Sequence, residues 1–164
     1  EMANLYAHPK IKAYVSLTHG EGYGLPLFEA AYHGLPIIAP DWSGHLDFLY
    51  MPVKDKKNKK EKMKSMFTKV DYKLAPIPQE AVWDGVLQED SMWCYSDQGS
   101  YKMKLREMRN KYTHKKKQAE KLQEWILENF EASRMYDKFA NAVVPFKEFE
   151  EAEKEIDSLL EGII

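Results

Sequence analysis

The sequence predicts an α/β fold built on a parallel sheet. Two patterns lead to this prediction: a strand–helix–strand order within residues 12–40, and helical periodicity across residues 99–164. The chain has 164 residues, which is enough for one domain with a real core, and its 44% hydrophobic content can supply that core. We therefore expect one globular unit.

The strand–helix–strand order starts after a short predicted helix at residues 1–8. Residues 12–17 form a mostly apolar run and predict a strand. Pro26 then suits the first turn of a helix, predicted over 25–33 and ended by a glycine. The apolar run 36–39 is typical of a central strand in a parallel sheet. This βαβ unit makes the predicted fold Rossmann-like, with about three parallel strands and helices on both faces.

The middle of the chain carries weaker patterns. Residues 54–64 hold seven lysines and two acidic residues, which predicts a solvated insertion. Rough alternation of apolar residues predicts a further strand near 67–75. We expect residues 79–98 to be rich in loops and packed on the sheet edge, with Trp93 filling core space.

The C-terminal part is predicted to be helical. Apolar residues at spacings of three and four indicate two helices broken near Thr113, a third ending at Pro145, and a last acidic amphipathic stretch over 147–161. We therefore assign 1–98 to a partial Rossmann-like region and 99–164 to a helical closing region of the same domain.

Composition excludes several classes of function. A net charge of −2 gives no overall attraction to nucleic acid or to anionic membranes. Cys94 is the single cysteine, no Cys/His cluster has zinc spacing, and no apolar run approaches the ~20 residues of a membrane span. These features predict a cytoplasmic protein without a structural metal. The opening Glu1-Met2 is unlike a natural start, so we expect a piece of a longer protein.

The most informative segment is residues 19–40. A glycine-rich loop that leaves a parallel strand and enters a helix exposes backbone N–H groups and the positive helix end, which favour a phosphate or diphosphate. Glu21 lies in this loop and Glu29 about one turn into the helix, so both are expected near one crevice at the carboxyl ends of the strands. Carboxylates accept hydrogen bonds from sugar hydroxyls. The pattern therefore suits a nucleotide diphosphate sugar.

The segment Glu-Gly-Tyr-Gly-Leu-Pro-Leu-Phe-Glu at residues 21–29 resembles the E-x7-E motif of family 4 retaining glycosyltransferases, which have the GT-B fold. Residues 34–39 resemble the family's segment directly after that motif. The resemblance covers roughly residues 1–50 well, and the helical end from Trp93 onward more loosely. It implies that the chain is the donor-binding C-terminal domain of such an enzyme.

The resemblance also implies roles for individual residues. Glu29 would bind the ribose hydroxyls of the donor, and Glu21 would be the catalytic residue that contacts the donor sugar. The diphosphate and sugar would meet main-chain groups of Gly22, Tyr23, Gly24 and Leu25. His19, beside the loop, is a further candidate for a hydrogen bond to phosphate or sugar. The reaction implied is retaining hexosyl transfer that uses no cofactor and no metal.

The same resemblance implies missing parts. The family's basic pair that grips the diphosphate, its first glycine-rich loop and its acceptor domain lie upstream of anything in this sequence. We therefore expect the chain alone to be inactive. Expected partners are a nucleotide-sugar donor and a glycan or other hydroxyl acceptor, with peripheral membrane contact in the parent enzyme and no nucleic acid.

Simpler interpretations stay open beside these. Loop glycines often only shape a turn. His33 and His45 match no usual metal-ligand spacing, so we expect structural roles for them. Asp41 and Asp47 form a possible acidic pair, but Asp47 more simply caps a short helix. The lysine-rich run is more typical of a solvated loop than of a binding site.

The sequence leaves two rival functions open and also predicts an assembly state. The chain is alternatively a non-catalytic nucleotide-sugar-binding module, or a protein-interaction piece in which residues 99–164 do the binding. If the strand order implied by the GT-B resemblance holds, the strand at 12–17 would pair with an upstream strand that this sequence lacks, which leaves the sheet incomplete with a bare edge. We therefore expect a homo-oligomer formed through that edge.

Overall fold

The computed structural model describes residues 2–55, 60–143 and 150–156. Over these residues the chain is mixed α/β, as predicted, and it divides into two compact units, Glu1–Ile126 and Leu127–Ile164. None of the described helices combines the length and the apolar character that crossing a membrane requires.

The elements in chain order are α1 (Met2–Tyr6), β1 (Tyr14–Val15), α2 (Leu25–Tyr32), β2 (Ile37–Pro40), α3 (Leu46–Leu49), β3 (Tyr50–Lys54), β4 (Glu61–Ser65), β5 (Thr68–Val70), β6 (Tyr72–Pro76), a 3-10 turn (Gln79–Ala81), β7 (Met92–Ser96), α4 (Gln98–Asn110), α5 (Tyr112–Asn129) and α6 (Ala132–Val143). Residues 150–156 are also helical.

The central sheet is parallel and has the strand order β1-β2-β5. Tyr14 pairs with Ile37, and Ile38 pairs with Thr68. The predicted βαβ unit is β1-α2-β2, and the predicted parallel sheet of about three strands is confirmed. Among the described strands β1 lies at the sheet edge. Self-association through this edge stays a prediction.

Helix α2 is delimited by two glycines in the left-handed region. Gly24 (φ 85°) precedes it and Gly34 (φ 65°) follows it, and glycine adopts these angles without steric cost. Helix α5 supplies donors to the end of α2: Lys116 Nζ donates to the carbonyl of Gly34 at 2.8 Å, and Gln123 Nε2 donates to that of Tyr32 at 2.8 Å. The end of α2 is thus satisfied by side chains from a distant helix.

The core is built from buried side chains of the central sheet and of α2, α3, α4 and α5. Helix α4 packs on one face, where Met108 joins Ile38 and Val70 in a buried cluster. The largest fully buried apolar side chains are Phe48, Leu27, Ile38, Leu49, Leu122, Ile126 and Val70. This burial fixes the carboxyl ends of β1 and β2, from which the candidate site is built.

The lysine-rich run predicted as an insertion belongs to a β-hairpin. Strand β4 pairs with β3 in antiparallel register, with Tyr50 opposite Ser65 and Lys54 opposite Glu61. Its residues 61–64 are exposed, so this part of the run is solvated as expected. Residues 56–59 lie outside the described residues.

The strand predicted near 67–75 is wrong as a single element. It is two strands: β5 belongs to the parallel sheet and β6 pairs with β7 in an antiparallel ribbon. The break occurs at Asp71, because its main-chain N–H and carbonyl groups form hydrogen bonds with residues around the start of α4. Ser100 Oγ accepts from the N–H of Asp71 at 3.0 Å, and the N–H of Asp97 donates to the carbonyl of Asp71 at 2.7 Å.

The prediction that Trp93 fills core space is also wrong. Trp93 is only partly buried, and its ring stacks on His19 with 4.5 Å between the ring centroids. Side chains alternate along β7, so the fully buried neighbour Cys94 takes the interior position instead. The segment 79–98 was expected to be rich in loops, but it contains this ordered strand.

The helical predictions for the C-terminal part are confirmed where residues are described. Helices α4 and α5 are separated at Lys111, close to the predicted break at Thr113, and α6 is the predicted third helix. The last predicted helix is seen over 150–156, and the rest of it lies outside the described residues.

Helix α4 has a side-chain cap at its start. Asp97 Oδ1 accepts a hydrogen bond from the N–H of Ser100 at 2.6 Å. We expect Asp97→Ala to lower the free energy of unfolding by about 1 kcal/mol, because the amide loses its partner. Urea denaturation measures this, with the exposed Asp90→Ala as control. Equal stabilities of the two variants would contradict the assignment.

Candidate functional site

The glycine loop, residues 20–24, leaves β1 and enters α2. A second loop after β2 holds it in place: Ser43 Oγ accepts from the N–H of Glu21 at 2.8 Å and donates to its carbonyl oxygen at 2.6 Å. The N–H of Gly44 donates to the same carbonyl at 3.0 Å. We call this arrangement the Ser43–Gly44 clamp. It lies at the carboxyl end of the parallel sheet, where α/β folds commonly bind ligands.

The clamp depends on very close backbone packing. A Cβ atom at Gly44 would lie 2.0 Å from the carbonyl oxygen of Gly22 and 2.9 Å from that of Glu21. Ser43 itself has a φ of 86°, which is uncommon for a residue with a side chain and is often found at functional sites. The clamp was not predicted from the sequence, although a Ser-Gly pair after a strand is a recognised turn signal.

Glu21 is partly buried beside a short row of hydroxyl groups. Thr18 Oγ1 donates to Glu21 Oε1 at 2.9 Å, and Ser16 Oγ lies 3.4 Å from Thr18 Oγ1. The main chain of Glu21 is fixed by the clamp and one carboxylate oxygen by Thr18. Its position is therefore set by both backbone and side chain.

Glu29 is exposed on α2, and its carboxylate lies close enough to the buried Tyr6 hydroxyl to affect the pKa of that phenol. Burial raises the pKa of Tyr6, and the Glu29 contact raises it further. Burial also raises the pKa of Tyr14, and the negative charges of Glu21 and Glu29 raise it further. Both carboxylates of the motif therefore lie within electrostatic reach of one phenol on β1.

The other loop residues present main-chain groups. Gly22 is exposed, and a Cβ placed on it would meet nothing within 4 Å. Pro26 has no N–H, and no main-chain acceptor among the described residues receives the N–H groups of Gly24, Leu25 or Leu27. These donors stand at the positive end of the α2 dipole. Of these three residues only Leu25 is exposed, whereas Gly24 and Leu27 are buried, so an anion approaching the loop would meet the N–H group of Leu25.

The side chain of Tyr23 faces the protein interior. Its ring lies 5.2 Å from that of Phe48 and 5.8 Å from that of Phe28, measured between centroids. Burial raises the pKa of Tyr23, and the negative charge of Asp47 adds to this. Tyr23 therefore anchors the glycine loop, and only its main chain is a candidate for ligand contact.

His19 is held by β7. Its Nδ1 lies 2.8 Å from the carbonyl oxygen of Cys94, its own carbonyl accepts from the N–H of Cys94 at 3.0 Å, and its ring packs between Trp93 and Tyr95. Because a carbonyl oxygen only accepts hydrogen bonds, Nδ1 carries the proton, and in the neutral ring Nε2 is an acceptor.

His19 also lines a cavity of about 370 Å³. The side-chain oxygen of Ser96, another lining residue, is buried without a hydrogen-bond partner in the described part of the chain. The remaining lining residues are Leu17, Tyr95, Gln98 and Tyr101. His19 is thus placed by tertiary contacts that its sequence neighbourhood does not reveal.

The remaining candidate residues have local structural partners. His33 Nδ1 lies 2.8 Å from the carbonyl oxygen of Glu29, and the buried His45 bonds through Nε2 to the carbonyl oxygen of Pro40 at 2.9 Å. The prediction that Asp47 caps a helix is wrong in detail: the cap position of α3 belongs to His45, and Asp47 lies in the first turn. In the described ranges, no three His, Cys, Asp or Glu side chains lie together as metal ligands would.

Asp41 belongs to a network with Tyr50 and Lys69. Lys69 Nζ donates to Asp41 Oδ2 at 2.8 Å and to the Tyr50 hydroxyl at 2.8 Å, and that hydroxyl donates to Asp41 Oδ1 at 2.7 Å. The bonds to Asp41, then to Tyr50, raise the pKa of Lys69. Asp41 is therefore an ion-pair partner, and no local sequence pattern connects it to a lysine 28 residues away.

The clamp gives a matched pair of glycine variants. We expect Gly44→Ala to lower the free energy of unfolding by about 2 kcal/mol or more, because the new methyl group collides with backbone atoms that have no room to move. Gly22→Ala faces open space and should change stability by less than about 1 kcal/mol. Urea denaturation compares the two, and equal losses would show that the loops are not packed as described.

Comparison of the chain with protein-family models, with curated proteins and with solved structures found no match in any of the three. A functional assignment therefore rests on the geometry of this site together with the E-x7-E resemblance of residues 21–29.

Proposed function

We propose that this chain is the donor-binding part of a retaining glycosyltransferase, with the Rossmann-like architecture of a GT-B C-terminal domain. The donor would be a nucleotide diphosphate sugar. The observation that carries the proposal is the clamped glycine loop, which holds Glu21 beside the unpaired N–H groups at the start of α2.

The start of α2 suits the diphosphate. Its free N–H donors and the helix dipole favour negative charge, and the open space over Gly22 lets a ligand reach the main chain. During transfer, the bond between the anomeric carbon and the diphosphate oxygen breaks, and the leaving diphosphate gains negative charge. Fixed donors in that position would stabilise the charge without reorganising.

The two carboxylates suit the two sugar rings of such a donor. Glu29 would accept hydrogen bonds from the ribose hydroxyls, and the nearby Tyr6 hydroxyl would help to orient its carboxylate. Glu21, fixed through Thr18 and the clamp, would contact the transferred sugar. A new bond from the anomeric carbon to the acceptor oxygen completes the transfer, and the released diphosphate would take up the proton of the acceptor hydroxyl.

Calorimetric titration with a panel of nucleoside diphosphates and their sugar conjugates tests the proposal. We expect one nucleotide series to bind, and Glu29→Gln to weaken that binding at least about tenfold, because the ribose loses a charged acceptor. The glutamine keeps the size of the side chain and an oxygen for Tyr6. Glu124→Gln, on the exposed surface of α5, is the matched control.

The possible results separate the alternatives. Equal binding by Glu29→Gln and the parent chain would place the ligand elsewhere, and no binding across the panel would refute the donor site. Binding by the complete protein without sugar transfer to any acceptor would favour the non-catalytic binding module instead.

A specific feature of α6 favours a second function, the binding of another polypeptide. Tyr136, Phe139 and Val143 recur at helical spacing, and their exposed fractions are 73%, 70% and 65%. An exposed apolar helix face of this kind commonly marks an interaction surface. If this function holds, Phe139→Glu abolishes partner binding or self-association in sedimentation experiments, and Glu29→Gln has no effect on either.

A further inference from the structure

A basic pocket lies between β4 and α5, apart from the glycine loop. Its volume is about 260 Å³, and its lining residues are Lys64, Met66, His114, Lys117, Gln118 and Lys121. We call it the lysine pocket. None of its residues belongs to the segment 19–29, so it is a separate feature from the proposed donor site.

The lysines of this pocket differ from their neighbours on α5. Lys115 pairs with Glu107 at 3.0 Å, and Lys116 pairs with Glu120 at 3.7 Å. In contrast, none of the pocket lysines has a carboxylate within 4.0 Å among the described residues. The pocket therefore holds three formal positive charges without a counter-charge in its lining.

The scaffold of the pocket is fixed although its charged groups are exposed. Gln118 Nε2 donates to the carbonyl oxygen of Ser65 at 2.9 Å, which ties α5 to the end of β4. Met66 is only 6% exposed, and Ala119 and Leu122 on α5 are buried. The helix and strand are thus held at a set separation, which keeps the basic side chains together.

A bound anion would relieve the repulsion between like charges that lie near one another. Lys117 and Lys121 are four residues apart on a helix, a spacing at which like charges repel. Ammonium groups donate strong hydrogen bonds to phosphate oxygens, and several around one cavity suit an anion with more than one charge.

We propose that the lysine pocket binds a phosphate-bearing anion, either a free phosphate compound or a phosphate group on a lipid. The confined volume fits one or two phosphate groups. No aromatic ring lines the pocket apart from the imidazole of His114, so a stacked nucleic-acid base is not favoured. The net charge of −2 likewise gives the whole chain no attraction to long polyanions.

The test uses the full chain and two probes. Inorganic pyrophosphate is titrated by calorimetry at low salt, and vesicles of phosphatidylcholine with and without phosphatidic acid are tested by co-sedimentation. We expect Lys121→Glu to weaken binding of the responsive probe at least about tenfold, and added salt to weaken it further. Lys102→Glu, an exposed site on α4 with the same charge change, should alter it less than about twofold.

The probes distinguish the source of the phosphate. Pyrophosphate binding that depends on Lys121 supports a free ligand, and vesicle binding with the same dependence supports a lipid headgroup. The proposal is overturned if neither probe binds, or if Lys102→Glu weakens binding as much as Lys121→Glu.

A further variant separates this site from the glycine loop. Gly22→Asp places a negative charge in open space there. Pyrophosphate binding lost in this variant but kept in Lys121→Glu would assign the anion to the donor loop and overturn the lysine-pocket proposal. The nucleotide titration with Glu29→Gln remains an independent test of the donor site.

Discussion

The contact on which the candidate site depends is the main-chain clamp between two neighbouring loops. Ser43 and Gly44 satisfy both the N–H and the carbonyl of Glu21, and only a glycine at position 44 lets the backbones approach so closely. Because β1 and β2 are adjacent parallel strands, the loops after them necessarily meet at one edge. The clamp converts that proximity into a defined loop conformation.

A second group of contacts extends from the clamp along β1. Thr18 fixes one oxygen of Glu21, and the carboxylate of Glu29 lies near the Tyr6 hydroxyl. Burial raises the pKa of the Tyr14 phenol, and both negative charges raise it further. Two like charges are tolerated near one another because hydroxyl groups and solvent stabilise them. A site of this kind presents hydrogen-bond acceptors beside N–H donors, which is the combination that a polyhydroxyl ligand with a diphosphate requires.

The parts of the fold that were predictable carry strong local signals. Pro26 at the start of α2, the glycine that ends it and the apolar run that forms β2 are sufficient to identify the βαβ unit. The remainder depends on contacts between distant residues. The break at Asp71 arises from hydrogen bonds to the start of α4. The ring of Trp93 stacks on His19 and does not fill the core. Periodicity along the chain carries no information about such contacts.

The central claim is that the glycine loop binds the diphosphate of a sugar donor, and backbone amide NMR measures this directly. On addition of the nucleotide sugar, the account predicts chemical-shift changes concentrated at the amides of Gly22, Gly24 and Leu25, with smaller changes at Glu29. Shifts confined to α5 and β4, or no shift at the loop at saturating ligand, would contradict it.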